Sequence, residues 1–146
     1  MKQGLTAVVA CCGLWCGMAL AGDTASSYFA NAYKECDKLY QADQAAPSAS
    51  GQFSREACYS YQVRVALADN AANRNEYFAA ALKSAPEYVA QTFDAALDAG
   101  FDQYEAITVA TTAYPKGEAT YAQRAISYGA DPAMVTEATA AGYKKK

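Results

Sequence analysis

Two stretches near the C-terminus carry the same pattern of residues, and this repeat limits the folds open to the chain more than any other feature. Residues 99–114 read AGFDQYEAITVATTAY, and residues 128–143 read YGADPAMVTEATAAGY. When the two stretches are aligned, Gly100 of the first corresponds to Gly129 of the second. A period of roughly 30 residues is typical of arrays in which short helix pairs stack on one another.

Each copy of the pattern predicts two short helices joined by a Gly-x-Asp turn. Gly100 and Gly129 predict helix ends, because glycine accepts the left-handed conformation that stops a helix. Asp102 and Asp131 predict the N-caps of the helices that follow, and Pro132 fits the first helical position, where its missing N–H costs nothing. We therefore interpret these five residues as structural turn and cap positions and not as chemistry.

A weaker third copy precedes these two, since Leu67 and Asn70 lie one similar spacing before Leu97 and Gly100. Each helix pair is too small to bury its own apolar face, so stacking similar pairs would build a continuous core. The pattern thus predicts an α-solenoid-like array with a period of about 29 residues. The alternative interpretation is a coincidence of common helix caps in an alanine-rich chain.

The N-terminus has the composition of a secretory signal peptide. Lys2 is followed by an apolar stretch from Leu5 to Leu20 and by a small-x-small ending at Ala21. We expect cleavage after Ala21, which leaves residues 22–146 as a single domain in the periplasm or outside the cell. The apolar stretch is shorter than the roughly 20 residues that span a bilayer. An alternative is a lipid anchor on Cys11, which follows small residues as in lipoprotein cleavage sites.

Two cysteines, Cys36 and Cys58, lie beyond the predicted cleavage site. Because exported proteins meet an oxidising environment, an even number of cysteines predicts a disulfide, and two cysteines allow one intramolecular pairing. Both also fall on apolar helical faces, which contain Phe29, Tyr33, Cys36 and Tyr40 in one helix and Cys58, Tyr61, Val65 and Ala68 in the next. The alternative is two free buried thiols.

The predicted fold is therefore all-α. A disulfide-linked helical hairpin at the N-terminus would be followed by two to three stacked short helix pairs.

Few residues in the chain suit catalysis or metal binding. There is no histidine, which is the commonest general base and metal ligand. Neither a phosphate-binding glycine loop nor a serine-hydrolase motif occurs. Carboxylates such as Asp94 and Asp98 pair at helical spacing, but exposed helix faces often contain such pairs. We expect a protein that is not an enzyme and that has no cofactor and no metal.

The charge of the chain argues against nucleic acid as a partner. Without Lys2 it has 11 basic and 15 acidic residues, a net charge of −4. Binding to phosphates needs clustered Lys or Arg, and the one cluster is Lys144 to Lys146 at the very end. We expect a protein or peptide partner and no membrane span after cleavage.

The 12 tyrosines are the most unusual feature of the composition. Tyrosine gives a large contact area and a hydrogen bond at low entropic cost, so a tyrosine-lined surface suits protein binding. We predict that such a surface includes Tyr88, Tyr104, Tyr121 and Tyr128. The alternative is that the tyrosines fill gaps between alanine-faced helices.

The function we expect is that of an exported, non-catalytic helical-repeat binding module. One alternative is an inhibitor or immunity-type protein that blocks a partner enzyme. A less favoured one is a carboxylate-dependent hydrolase.

Overall fold

The computed structural model describes residues 25–45 and 53–145, and the regular elements within these two ranges are all helical. The predicted signal peptide and the lipidation candidate Cys11 lie outside the described residues. The α-helices are α1 (Ala25–Ala45), α2 (Arg55–Asp69), α3 (Arg74–Ser84), α4 (Val89–Asp98), α5 (Gln103–Ala113), α6 (Glu118–Ser127) and α7 (Pro132–Lys144). Short 3-10 turns at Ala71–Asn73, Pro86–Tyr88 and Pro115–Gly117 precede α3, α4 and α6. The all-α prediction is confirmed.

The helices pack in two layers. In the first layer α1 contacts α3, α3 contacts α5, and α5 contacts α7. In the second layer α2 contacts α4, and α4 contacts α6. Helices that follow one another in sequence, such as α1 and α2 or α5 and α6, pack across the two layers. Most of the core therefore lies between helices that are neighbours or next neighbours in the chain.

The ends of the C-terminal helices follow from the turn residues. Gly100 and Gly129 have φ of +88° and +93°, the left-handed region that favours glycine. The Asp102 carboxylate accepts hydrogen bonds from the N–H groups of Tyr104 and Glu105, and Asp131 does the same for the first turn of α7. These bonds satisfy backbone donors that have no partner inside the helix. One short turn thus ends one helix and starts the next.

Cys36 and Cys58 form a disulfide that joins α1 to α2, with Cα atoms 5.8 Å apart, so this prediction is also confirmed. Aromatic rings fill the core beside it. The Phe29 ring packs against Tyr28, Tyr59 and Tyr77, with centroids 5.0, 6.2 and 6.1 Å away. The buried Tyr59 hydroxyl donates a hydrogen bond to the Ala81 carbonyl of α3, 2.9 Å away. The N-terminal hairpin is therefore bound to the rest of the fold by rings, and its two helices are bound to each other by a covalent link.

Helices α5 and α7 approach each other closely around Gly142. Gly142 of α7 is so close to α5 that an added Cβ would lie 2.7 Å from the Thr111 Cβ and 2.9 Å from the Thr108 carbonyl oxygen. The Thr112 hydroxyl, which reaches the Gly142 carbonyl at 2.9 Å, bonds across this interface. A second hydroxyl, that of Thr108, lies 3.2 Å from the Ala138 carbonyl. Close backbone approach and hydroxyl hydrogen bonds take the place of bulky packing here.

Candidate groove on the first helical layer

The four tyrosines of the predicted surface do not lie together. Tyr121 is 0% exposed and Tyr88 is 8% exposed. Tyr121 stacks on Phe93 with centroids 5.3 Å apart, and its hydroxyl donates to the Tyr114 carbonyl at 3.1 Å. Its ring also occupies the space beside Gly117, where an added Cβ would overlap the hydroxyl oxygen. Tyr121 is therefore a core residue, and we leave it out of the candidate surface.

Tyr88 is also a packing residue. Its ring lies 6.1 Å from that of Tyr33 and 6.0 Å from that of Tyr59, between the N-terminal hairpin and the start of α4. The alternative interpretation, in which tyrosines fill gaps between alanine-rich helices, describes Tyr88 and Tyr121.

Tyr104 and Tyr128 are accessible, but they occupy different places. Tyr104 is half-buried beside α7, and its hydroxyl accepts a hydrogen bond from the Asp131 N–H at 3.1 Å. Tyr128 is 43% exposed, and partial burial followed by the carboxylates of Asp94 and Asp98 raises its pKa. Tyr128 therefore lies beside the end of α4, and Tyr104 alone of the four lines a depression between α5 and α7.

That depression has a volume of about 420 Å³ and combines acidic with apolar groups. Its lining residues are Tyr104, Glu105, Thr108, Met134, Glu137, Ala138 and Ala141. The Glu105 carboxylate is already engaged within the fold, because it accepts hydrogen bonds from Arg74 at 2.9 Å and Asn75 at 3.1 Å. Glu137 makes no hydrogen bond or ion pair within the described part of the chain, and Met134 is 49% exposed. One carboxylate and one thioether are thus available to a ligand.

A second depression of about 240 Å³ lies on the other side of α5. Its lining residues are Ala79, Lys83, Thr108, Val109, Thr112, Ala113 and Lys145. The two depressions share Thr108, and we call them together the α5 groove. The Thr108 and Thr112 hydroxyls are already bonded to backbone carbonyls. The floor of the groove is therefore made of small side chains whose polar atoms are mostly satisfied.

A third depression, about 430 Å³, lies between α6 and α7 and has a different character. Its lining residues are Glu118, Ala119, Ala122, Val135, Thr136, Thr139, Ala140 and Tyr143. The Glu118 carboxylate accepts a hydrogen bond from the Tyr143 hydroxyl, which raises the pKa of Tyr143. Because its charged group is already engaged, this depression offers a ligand less than the α5 groove.

The carboxylates that sequence spacing brings together are paired with arginines. Asp94 accepts hydrogen bonds from Arg124, one of them at 2.7 Å, and Asp98 lies 4.0 Å from Arg64. In residues 25–45 and 53–145, no group of three or more Cys, Asp or Glu side chains is placed to hold a metal ion. No helix in these ranges has the length and hydropathy needed to cross a bilayer.

Comparisons with protein-family models, with curated proteins and with solved structures find no match to this chain. A function has therefore to be inferred from the geometry of the α5 groove.

Sequence reasoning missed most of the residues that line the α5 groove. A signal was nonetheless present in the sequence, because several residues that line the groove from neighbouring helices are 29 positions apart. Met134 follows Glu105 by 29 residues. Thr108 likewise follows Ala79 by 29 residues and precedes Glu137 by 29 residues. Apart from Tyr104, none of the lining residues is aromatic, so the tyrosine content of the sequence does not identify them.

Proposed function

We propose that the chain is a short helical-repeat array with a period of about 29 residues. Backbone angles at equivalent turn positions support this. Ala85 has φ −138° and ψ 73°, and Tyr114 has φ −143° and ψ 79°. Asp102 and Asp131 have φ of −63° and −70° with ψ of 138° and 126°.

Contacts between neighbouring units support the same proposal. Arg124 bonds to Asp94, the Thr108 hydroxyl reaches Ala138, and the Thr112 hydroxyl reaches Gly142, all with the same separation in sequence. A repeat array places equivalent positions of successive units beside one another, which gives such a constant separation.

Substitution of the two glycine stops tests the equivalence of the units. Gly100→Ala and Gly129→Ala should each cost about 1–2 kcal/mol of unfolding free energy, because an L side chain strains the left-handed conformation while an added Cβ meets no neighbour within 4 Å at either site. Chemical denaturation of both variants measures this. Costs that differ by more than about 1 kcal/mol, the size of the strain itself, would contradict the equivalence.

We further propose that the protein is an exported, non-catalytic binding module that holds a protein or peptide segment in the α5 groove. The observation that carries this proposal is that the groove is built from equivalent positions on three successive helices of one layer. Ala79, Thr108 and Glu137 form one row, and Lys83, Thr112 and Ala141 form the next. Such rows give repeat proteins an extended surface that suits an extended ligand.

The 420 Å³ depression between α5 and α7, which we call the acidic depression, indicates the chemistry of the partner. Glu137 supplies a negative charge that no cation of the described residues pairs with, and Met134 and the Tyr104 ring supply apolar surface. A segment with a basic side chain next to an apolar one would meet both, with charge steering the encounter and apolar contact holding the complex. The net charge of −4 predicted for the exported chain acts in the same direction.

A peptide array tests this function. We expect hexapeptides that combine Lys or Arg with Leu or Phe to be retained by the protein, and Glu137→Lys to remove most of that retention. Glu56→Lys on α2 is the matched control, since it makes the same charge change on an exposed residue in the other layer. Circular dichroism of each variant checks that the helices remain. Equal retention by Glu137→Lys and wild type, or no retained peptide at all, would overturn the proposal.

A further inference from the structure

The 240 Å³ depression of the α5 groove, which we call the basic depression, is lined by two lysines. Lys83 lies in the last turn of α3 and Lys145 follows α7, and both line the 240 Å³ depression across the C-terminal end of α5. Neither makes an ion pair or a side-chain hydrogen bond to any residue that the structure describes. The depression therefore has a positive charge that no carboxylate of the described residues neutralises.

The arginines of the chain, unlike these two lysines, lie close to carboxylates. Each has a carboxylate within 4.0 Å: Arg55 pairs with Asp37, Arg64 with Asp98, Arg74 with Glu105, and Arg124 with Asp94. The fold neutralises these cations even where they are half-exposed. Other lysines, such as Lys34, also lack an ion pair within the described residues, but Lys83 and Lys145 share one cavity.

Helix ends account for only part of this arrangement. The C-terminal carbonyls of α3 and α7 carry a partial negative charge equivalent to about half an electron each, which favours a lysine at each end. That leaves a net positive charge in the depression. Two like charges around one cavity repel, and an anion placed between them would remove this repulsion.

The two charged ends of the groove are a short peptide length apart. Glu137 lies in α7 and Lys145 directly follows that helix, eight residues further on, and eight residues at the helical rise span about 12 Å. An extended peptide advances about 3.3–3.6 Å per residue, so three or four residues cover this distance. The groove thus has a negative end at Glu137 and a positive end at Lys83 and Lys145.

We propose that the α5 groove recognises an extended peptide segment with a basic side chain and a carboxylate side chain three to four residues apart. The basic group lies at Glu137, and the carboxylate lies between Lys83 and Lys145. The small side chains of Ala79, Thr108 and Thr112 leave room for the peptide backbone between these ends. This inference rests on the function proposed above and adds the second charge of the ligand and its spacing.

Defined peptides test the spacing and the second charge. The probes are N-acetylated, C-amidated hexapeptides: Gly-Lys-Leu-Ala-Glu-Gly, the same peptide with Gln in place of Glu, and a version with Lys and Glu adjacent. Isothermal titration calorimetry with the full chain measures Kd. We expect the Lys-Leu-Ala-Glu peptide to bind roughly three- to fivefold more tightly than either other peptide, the scale of an exposed ion pair.

Variants of the lysines assign that preference to the groove. In the Lys83→Gln/Lys145→Gln double variant the preference for the Glu peptide should disappear while binding of the Gln peptide is unchanged. Lys34→Gln on α1 removes an exposed lysine elsewhere and should leave the preference intact.

The outcomes separate this inference from the proposed function. If the Glu and Gln peptides bind equally and both depend on Glu137, the inference is overturned and the binding function stands. A preference that survives in the double variant also overturns the inference. If none of the peptides binds, both proposals fail.

Discussion

The two ends of the described fold solve the same packing problem in different ways. At the N-terminal end, rings around Phe29 fill the space beside α1 and α2, and the Cys36–Cys58 bond joins these helices. At the C-terminal end, α5 and α7 approach so closely that Gly142 has no room for a Cβ. The first interface depends on side chains that are present, and the second on a side chain that is absent.

This difference predicts which kind of substitution should destabilise each region. An interface filled by large rings loses stability when a ring is removed, because a cavity remains. An interface of close backbones loses stability when a side chain is added, because the helices must separate. Substitutions in opposite directions should therefore damage the two ends.

Phe29→Ala should have the largest effect. Phe29 is fully buried among three tyrosines, and removal of a buried phenylalanine costs about 3–5 kcal/mol of unfolding free energy. Leu39→Ala is the control on the same helix, because Leu39 is 53% exposed and its truncation should cost less than about 0.5 kcal/mol. Urea denaturation measures both variants. A loss below about 1 kcal/mol for Phe29→Ala would mean that the rings do not set the stability of this end.

Removal of the disulfide should rank next. The bond closes a loop across 22 residues of sequence, and chain-entropy arguments assign about 3 kcal/mol to such a link. The Cys36→Ala/Cys58→Ala variant should melt roughly 10 °C below wild type. Limited proteolysis should then cut within α1 and α2 before it cuts within α5 and α7. Simultaneous cleavage at both ends would show that the link stabilises the whole fold and not one region.

Gly142→Val tests the close approach of α5 and α7. The added side chain meets Thr111 and a backbone oxygen of Thr108, so we expect a loss of about 1–3 kcal/mol. Ala140→Val, an exposed position on the same helix, makes a β-branched substitution without that contact and should cost less than about 0.7 kcal/mol. Thermal unfolding compares them. Equal melting temperatures would contradict the view that the absent side chain matters.

Substitution of two threonines of α5 should have the smallest effects on the unfolding free energy, and the two effects should have opposite signs. The Thr111 hydroxyl is buried without a hydrogen-bond partner in the described structure, whereas the Thr112 hydroxyl bonds to the Gly142 carbonyl. Thr111→Val should therefore raise the unfolding free energy by about 0.5–1 kcal/mol, and Thr112→Val should lower it by about 1 kcal/mol. Chemical denaturation resolves the two signs. A destabilised Thr111→Val variant would show that its hydroxyl has a partner in solution.

The elements that could be read from the sequence are those that depend on one residue type. Few residues other than glycine tolerate positive φ, so Gly100 and Gly129 mark turns whatever surrounds them. An aspartate side chain caps the helix that directly follows it, as Asp102 and Asp131 do. The two cysteines beyond the predicted cleavage site leave one pairing. Local chemistry decided each of these.

The groove could not be read in this way, because it depends on residues far apart in the chain. Tyr121 is buried since Gly117 leaves space for its ring and Phe93, which belongs to the earlier helix α4, stacks on it. Alanine occupies both faces of several helices, so hydropathy gives little contrast between the inner and outer sides. Which face of α5 remains open is decided by where α3 and α7 pack.

The two-layer packing also has a consequence for the order in which the chain unfolds. Because helices pack mainly on near neighbours in sequence, local opening can begin at one end without disturbing the other. Helix α7 is both the last described helix and one wall of the α5 groove. A ligand in the groove would bind only when α7 is docked, so binding would suppress fraying of the C-terminal end by mass action. A ligand bound in the groove would then slow amide hydrogen exchange in α7, while exchange in α1 would stay unchanged.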